Sequence, residues 1–432
     1  MLTLMSPKQL PTDKLKASKL LNEETMKHNP VANIELIKQV NTASVYRLID
    51  EQKLISRVAL AKLSELAPAS ITKMTRELMS AGLIKEVAQQ ASTGGRPAIS
   101  LTCEIDAFVF VSCKLGRNNL TIALHDIAGT KLKTQRKSLS TASESDVIND
   151  LLSELDAFIN TQVTPATQRL IAIAVTSPGL IDRESGTIVY LPKHNLKDIP
   201  LAKMIVDRFN VPAYIGNHTQ SLSLAELYFG AAQDCQDSVL LSVHDGVGSG
   251  IINNGRIFTN YNNQVGEIGH IKIEPLGLRC HCGNHGCLET IASNDAIIKQ
   301  VTGLITQGHA TSLTLENLTI ESVCDAANAG DELAVQVLQR VSKILGQAIA
   351  IIINLFNPQK LLIKGEITAA KALIFPIIEQ SVQQHALGSF LPNLVITEAQ
   401  FQREPSMAGV ALVRKALLEG HLLKHIMQDC GV

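Results

Sequence analysis

Residues 267–287 read EIGHIKIEPLGLRCHCGNHGC, and within them His270, Cys280, Cys282 and Cys287 fall inside eighteen positions. The chain has only eight cysteines in 432 residues. A tight group of three therefore reads as metal ligands before it reads as disulfides. Cys280-x-Cys282, followed after four residues by Cys287, wraps a short loop around one point, and Gly283 and Gly286 permit the turns that this requires. Three thiolates and one imidazole form a Cys3His set suited to tetrahedral Zn²⁺. Such a set leaves no vacancy for a catalytic water, so one structural zinc per chain is expected. His270, His281 and His285 all lie near enough in sequence to supply the imidazole.

The surrounding chain is that of a globular protein, 45% hydrophobic and 18% charged, long enough for two or three domains. No window holds the roughly 18 uninterrupted apolar residues of a membrane-spanning helix, and the N-terminal stretch lacks the pattern of a secretory signal. A cytoplasmic location is the expectation. Net charge is −1 overall, but residues 1–97 carry 14 Lys and Arg against 9 Asp and Glu, whereas the remainder carries 25 against 31. The first hundred residues are the part suited to a polyanion.

Local pattern sharpens that expectation. After a polar leader over 1–29, "NIELIKQVNTASVYRLIDEQ" spaces Ile34, Ile37, Val45, Leu48 and Ile49 for a helix. In "ISRVALAKLSELAPASITKMTRELMSAGLIKEV", Ser56 can cap a short helix carrying Val58, Leu60 and Leu63, and "APAS" breaks it before a second helix that ends at Gly82. Two helices joined by a tight turn make a helix-turn-helix. The second is expected to bury Ile71, Met74 and Leu78, and to turn Thr72, Lys73, Thr75 and Arg76 away from the core. Ser70, Thr72, Lys73 and Arg76 are the candidate DNA contacts. The hairpin "LIKEVAQQASTGGRPAISLTC" reads as a wing that places Arg96 for a minor groove. A winged helix-turn-helix domain over 30–102 follows.

From about Cys103 strands and helices alternate. "AFVFVSCKLG" and "NLTIALHDIAG" read as paired strands, "LIAIAVTSPGLID" as a buried strand running into a loop, and "DSVLLSVHDGVGSGIINNGRIF" as another strand pair. Long helices are expected near 328–356 and 367–386. The recurring strand pair with a Gly-containing turn suggests an α/β body of two similar halves over 103–432, with a ligand cleft between its lobes. The apolar run "LGQAIAIIINLFNPQKLLI" serves as core or as a subunit interface.

The motifs "LAPASITK", "TGGRP", "SPGLID", "VGEIGH" and "CHCGNHGCLETIAS" together resemble the ROK family of repressors, open reading frames and kinases, over nearly the whole chain. The resemblance implies a two-lobed, sugar-kinase-like body of actin/ribonuclease-H-like fold, and it selects His270 as the fourth metal ligand. It also implies a sugar cleft at Gly179, Asn217, His218, Glu267, His270 and Glu289. Carboxylates and amides suit several ring hydroxyls at once. Kinases of the family use an Asp after that Asn as general base and open with an Asp-x-Gly-Gly-Thr phosphate loop. Here "GNHTQ" supplies His218, and "CKLGRNN" lacks both the acidic residue for Mg²⁺ and the second glycine.

The expected protein is therefore a DNA-binding repressor of sugar genes with a degenerate, non-catalytic body acting as sensor; the alternative is an active hexose kinase with an added DNA-binding module. By resemblance, relief of repression comes from a sugar or sugar phosphate, or from recruitment to the glucose permease of the phosphotransferase system at the membrane. Operator half-sites imply a homodimer or homotetramer. The end segment "ALVRKALLEGHLLKHIMQ" has the spacing of an amphipathic helix broken at Gly420. It is suited either to docking on its own domain or to meeting a partner or an anionic membrane surface.

Overall fold

The computed structural model describes residues 30–88, 99–139, 144–191, 194–260 and 265–432. Arg96, most of the wing loop and the leader lie outside the described residues. Two compact units result: one comprises residues 1–104 together with 416–432, the other residues 105–415.

The smaller unit contains α1 (Pro30–Gln52), α2 (Arg57–Ser64), α3 (Pro68–Ser80) and the antiparallel pair β1 (Ile84–Ala88) and β2 (Ile99–Cys103). Ser56 caps α2 by accepting from the Ala59 N–H at 3.2 Å. Glu65, with φ 56°, ends that helix in the left-handed region, and Pro68 at the first position of α3 needs no amide partner there. The core is built from Val45, Tyr46, Ile49, Leu60, Ile71, Leu78, Leu83 and Leu101. Several residues differ from the sequence expectation. Val58 and Leu63 are exposed, as is Ile37 on α1. Thr75 is fully buried, because its hydroxyl returns a bond to the Ile71 carbonyl at 2.8 Å and accepts one from Arg57 Nε at 3.1 Å. A hydroxyl with both roles filled can enter a core.

The larger unit holds two five-stranded sheets. In the first, β3 (Phe108–Leu115), β4 (Asn119–Asp126) and β5 (Lys131–Ser138) form an antiparallel meander, with β6 (Arg169–Ser177) parallel to β3 and β10 (Ala213–Asn217) parallel to β6. In the second, β11 (Ser238–Val243), β12 (Val247–Asn253) and β13 (Arg256–Ile257) form the meander, with β14 (Lys360–Lys364) parallel to β11 and β15 (Val395–Glu398) parallel to β14. Numbered within each half, both orders run 3-2-1-4-5, so the two halves repeat one topology. A small antiparallel sheet of β7 (Leu180–Asp182), β8 (Thr187–Leu191) and β9 (Leu196–Ile199) is inserted after β6.

Helices α4 (Glu144–Gln162), α5 (Leu201–Phe209) and α6 (His218–Phe229) serve the first half. The second carries α7 (Glu289–Ala292), α8 (Asn294–Thr306), α9 (Ile320–Asn328), α10 (Glu332–Phe356) and α11 (Lys371–His385). By length and composition α10 could cross a membrane, yet 67% of its apolar window is buried. Thirteen of its residues are buried, and Leu338, Val341, Leu345, Ile349 and Ile353 lie in the core of the second half.

Helix α12 (Met407–Leu418) begins in the larger unit and ends in the smaller one, where α13 (His421–Asp429) also belongs. The sequence reading assigns this end segment to the body, and the structure corrects that. Leu422, Leu423, Ile426 and Met427 are buried. Arg47 Nη2 donates to the Leu418 carbonyl at 2.9 Å, and Lys424 pairs with Glu35 on α1 at 2.6 Å. Gly420, with φ 81°, sits where a Cβ would come within about 3.1 Å of Gln39 and Ala43, so the interruption is a close approach to α1. Ile426→Ala should therefore lower the stability of the smaller unit by about 2–5 kcal/mol, seen as a fall in the denaturation midpoint of that unit. Lys424→Ala, which removes only an exposed ion pair, should leave the midpoint almost unchanged.

Candidate functional site

The thiol cluster closes as its spacing suggests. Ligand atoms of His270, Cys280, Cys282 and Cys287 all lie within 4.8 Å of one another. Cys282 Sγ and Cys287 Sγ are 3.7 Å apart, and Cys280 Sγ is 3.6 Å from His270 Nδ1. Sulfurs held at about 2.3 Å around a tetrahedral zinc stand roughly 3.8 Å apart, so the donor set fits such an ion. The loop is held by backbone bonds from Ile273 N and Glu274 N to the Gly286 carbonyl, at 2.9 and 3.1 Å. Gly286 has φ 70°, and a Cβ there would stand 1.6 Å from the Glu274 carbonyl. His281 forms a second group with His270 and Glu289. Its Nδ1 lies 3.1 Å from Glu289.

The sugar-cleft candidates fall into two sets. Asn217 donates to the Gly179 carbonyl at 2.9 Å and accepts from Gln220 N at 3.2 Å as the cap of α6. It thus holds the Pro-Gly turn and starts the helix together. His218, the next residue, is buried with Nδ1 3.1 Å from Thr176 Oγ1. The other set is Glu267, His270 and Glu289. Burial pushes the Glu267 carboxyl above the usual carboxylate range, with Glu289 adding to the rise and His270 opposing it. Glu289 accepts from Val247 N at 3.0 Å and pairs with His281.

Strand β12 ties the sets together. Gly248 and Gly250 of this strand and Gly246 just before it alternate along the chain: a Cβ at Gly246 would meet Glu289 Oε2 at 2.8 Å, one at Gly248 would touch Thr219, and one at Gly250 would strike Ser223 Oγ at 2.4 Å. The glycines of "DGVGSG" are therefore set by the close approach of α6 and Glu289 to one strand.

A further group, which the sequence reading misses, surrounds His218. Burial above all, with the ammonium groups of Lys114 and Lys364 adding to it, keeps its imidazole well below the ordinary histidine range. Glu366 binds His244 Nδ1 at 2.6 Å and Asn294 Nδ2 at 2.8 Å. "CKLGRNN" contains Lys114 in plain view, but only the fold brings it to residues a hundred and more positions away.

In the smaller unit, Thr72, Lys73 and Arg76 are exposed on α3, and Ser70 is half-buried. Among the described residues neither Lys73 nor Arg76 has an ion-pair partner, whereas Arg57 pairs with Glu86 and Lys38 with Glu77. α3 thus presents free cations on its outer face.

A family profile described as "ROK family" matches residues 110–416. The DNA-binding transcriptional dual regulator NagC of Escherichia coli K12 and the N-acetylglucosamine repressor of Escherichia coli O6:H1 are each 47% identical over 399 residues, 92% of this chain and 98% of their own length. The transcriptional repressor Mlc of Escherichia coli is 36% identical over 93% of this chain and 99% of its own. A solved ROK family transcriptional regulator, described as a homologue of Escherichia coli Mlc, superposes with TM-score 0.86 at 44% identity, over 91% of this chain and all of its own. A glucokinase from Streptomyces griseus, solved with glucose and AMPPNP, shares the fold at TM-score 0.62 and 21% identity. It covers 70% of this chain and 98% of itself.

The metal loop carries a local test. Gly286→Ala should prevent the loop from closing, because the added Cβ meets backbone. Gly283→Ala, where a Cβ would meet nothing within 4 Å, adds only the strain of a positive φ, about 1 kcal/mol. Metal content and thermal stability of the two purified variants should separate accordingly, with Gly286→Ala depleted and Gly283→Ala near wild type.

Proposed function

The chain belongs to the ROK family, and from that membership we propose that it is a DNA-binding transcriptional repressor of sugar uptake and utilisation genes whose kinase-like body is a sensor. It is a regulator and not an enzyme. The observation that carries this reading is the pairing of two parts: an N-terminal unit with the free cations Lys73 and Arg76 on α3, and a body of kinase fold; by the family resemblance, His218 stands where the kinases have their general-base Asp. The repressor relatives align over both parts, whereas the glucokinase accounts for about the body alone. Such a regulator works in the cytoplasm, with the DNA.

Ser70, Thr72, Lys73 and Arg76 are assigned to the operator, with Arg96 in the wing. Useful specificity needs two half-sites, so the working form is a homodimer or homotetramer. The Cys3His group is assigned to one structural Zn²⁺, which when bound fixes the loop between β13 and α7 and holds Glu289 near His270. Glu267, His270, Glu289, Asn217 and Gly179 are assigned to a hexose effector. The greater identity to the N-acetylglucosamine regulators favours a sugar of the N-acetylglucosamine type over capture by a permease. A titration with N-acetylglucosamine compounds beside a pull-down with the permease's cytoplasmic domain separates the two: release of operator by the permease domain alone would favour capture and recruitment to the membrane.

Lys73→Ala and Arg76→Ala should each weaken operator binding and flatten the dependence of log affinity on log salt by about 0.9 for each phosphate that the variant no longer neutralises. Body stability and metal content should stay unchanged. Equal operator affinity in the double variant would show that this face of α3 is not the one that reads DNA. Cys282→Ser should reduce zinc from one per chain to well below it and lower the melting temperature, whereas Cys430→Ser, outside the cluster, should change neither. Hexose-dependent ATP turnover above background would overturn the assignment as a non-enzyme.

A further inference from the structure

Arg57 opens α2, directly after the Ser56 cap. A cation at the start of the first helix of a helix-turn-helix stands where that helix crosses the DNA backbone, so a phosphate contact is the ordinary expectation for it. Its guanidinium is instead committed to three side chains of its own unit. Nε donates to Thr75 Oγ1 at 3.1 Å, Nη2 donates to Met79 Sδ at 3.8 Å, and Nη1 pairs with Glu86 Oε1 at 2.8 Å. Thr75 is fully buried, and its hydroxyl proton goes to the Ile71 carbonyl at 2.8 Å, which leaves the oxygen to accept from Arg57. The Glu86 carboxylate balances the charge.

The three partners lie on two elements. Thr75 and Met79 are one turn apart on α3, and Glu86 is on β1, the first strand of the hairpin. A guanidinium is a planar fork whose N–H groups point in fixed directions. Bonds from one such fork to two points a turn apart on a helix fix how far that helix is rotated about its own axis, and the third bond ties the hairpin to the same fork. Rotation matters because Thr72, Lys73 and Arg76 are exposed on α3. A turn of about 20° moves a side-chain tip about 6 Å from the axis by about 2 Å, more than a hydrogen bond to a base edge tolerates. Ion pairs that solvent reaches contribute little to stability, so the value of this bridge is geometric.

We propose that Arg57 is a positioning residue for operator recognition: through Thr75, Met79 and Glu86 it sets the rotation of α3 and the place of the hairpin beside it, and it does not itself hold a phosphate. The proposal rests on the reading of α3 as the helix that meets the operator. Non-specific binding depends on cations reaching phosphates and tolerates small rotations of α3, whereas base readout does not. Arg57 therefore acts on the preference for one sequence over another, and leaves affinity for DNA in general as it is.

The test uses the full-length protein and two duplexes of equal length, one enriched by that protein from a random-sequence pool and one with the same bases scrambled. Affinity for both is measured over a series of salt concentrations for wild type, Arg57→Met, Arg57→Lys, Thr75→Val and the Arg57→Met/Thr75→Val double variant. Arg57→Met should weaken binding to the selected duplex by at least about tenfold and leave binding to the scrambled one within about twofold, with the salt dependence of wild type. Arg57→Lys keeps the charge but not the fork, and should lose most of the preference as well. Thr75→Val removes one acceptor at nearly the same shape and should reproduce much of the loss; the double variant should be no worse than Arg57→Met alone. Should Arg57→Met fail to fold, the comparison of the two duplexes is read from Thr75→Val. A salt dependence flatter by about 0.9 in Arg57→Met makes Arg57 a phosphate contact and overturns the proposal. Full preference in Arg57→Lys, additive losses in the double variant, or equal weakening on both duplexes overturns it too. The Lys73→Ala/Arg76→Ala variant separates the two readings: if it is weakened while Arg57→Met is not, only the positioning role fails. A pool from which no sequence is enriched overturns both.

Discussion

The closeness of β12 to α6 is the constraint on which the body depends. Helix α6 begins at the end of the first sheet, where Asn217 caps it, and lies along β12 of the second. Gly248 and Gly250 face Thr219 and Ser223 where any side chain would hold the helix away, and Gly246 admits the Glu289 carboxylate in the same row. Backbone approach at these three points fixes the distance between the halves. It also sets His218 and Asn217 on one side of a strand whose other neighbour leads to the metal loop. Moving α6 and Glu289 away from β12 would break the Val247–Glu289 bond and the packing of α6 at once.

The metal loop extends that constraint outward. Its backbone bonds run from Ile273 and Glu274 to Gly286, and from Leu288 N to Ile271 O, so the loop doubles back on itself beside α7. Four potential ligand atoms, three thiols and an imidazole, lie within 4.8 Å of one another there. With an ion held there, the same residues become the fixed support of His270 and Glu289. Under the proposed assignments the ligand group and the cleft share His270, so one local structure would answer both for stability and for binding.

Much of this is legible in the sequence where the signal is local. Ser56 as a cap, the break at "APAS", the strand pairs beginning at Phe108 and Ser238 and the Cys-x-Cys loop all depend on neighbours a few residues apart. The misreadings arise where a side chain's role depends on a distant partner. Thr75 reads as a surface hydroxyl until Arg57 supplies it with a donor. The polar strand Lys131–Ser138 carries no hydrophobic alternation because it is the edge of its sheet. Lys114 stands out in the sequence only for the acidic residue missing from its loop, since its significance arises from Lys364, His218 and Glu366, which lie far along the chain.

The C-terminal segment shows how such long-range pairing shapes the whole molecule. Because residues 416–432 complete the unit formed by the first hundred residues, the sensor body is an insertion within the DNA-binding unit. It joins that unit at two points of the chain, near Glu104 and near Ala416. The second join falls within helix α12 (Met407–Leu418). The apolar face of α13, which in isolation resembles a surface awaiting a partner, is already used: its burial beside α1 makes the second attachment part of the DNA-binding unit's own core.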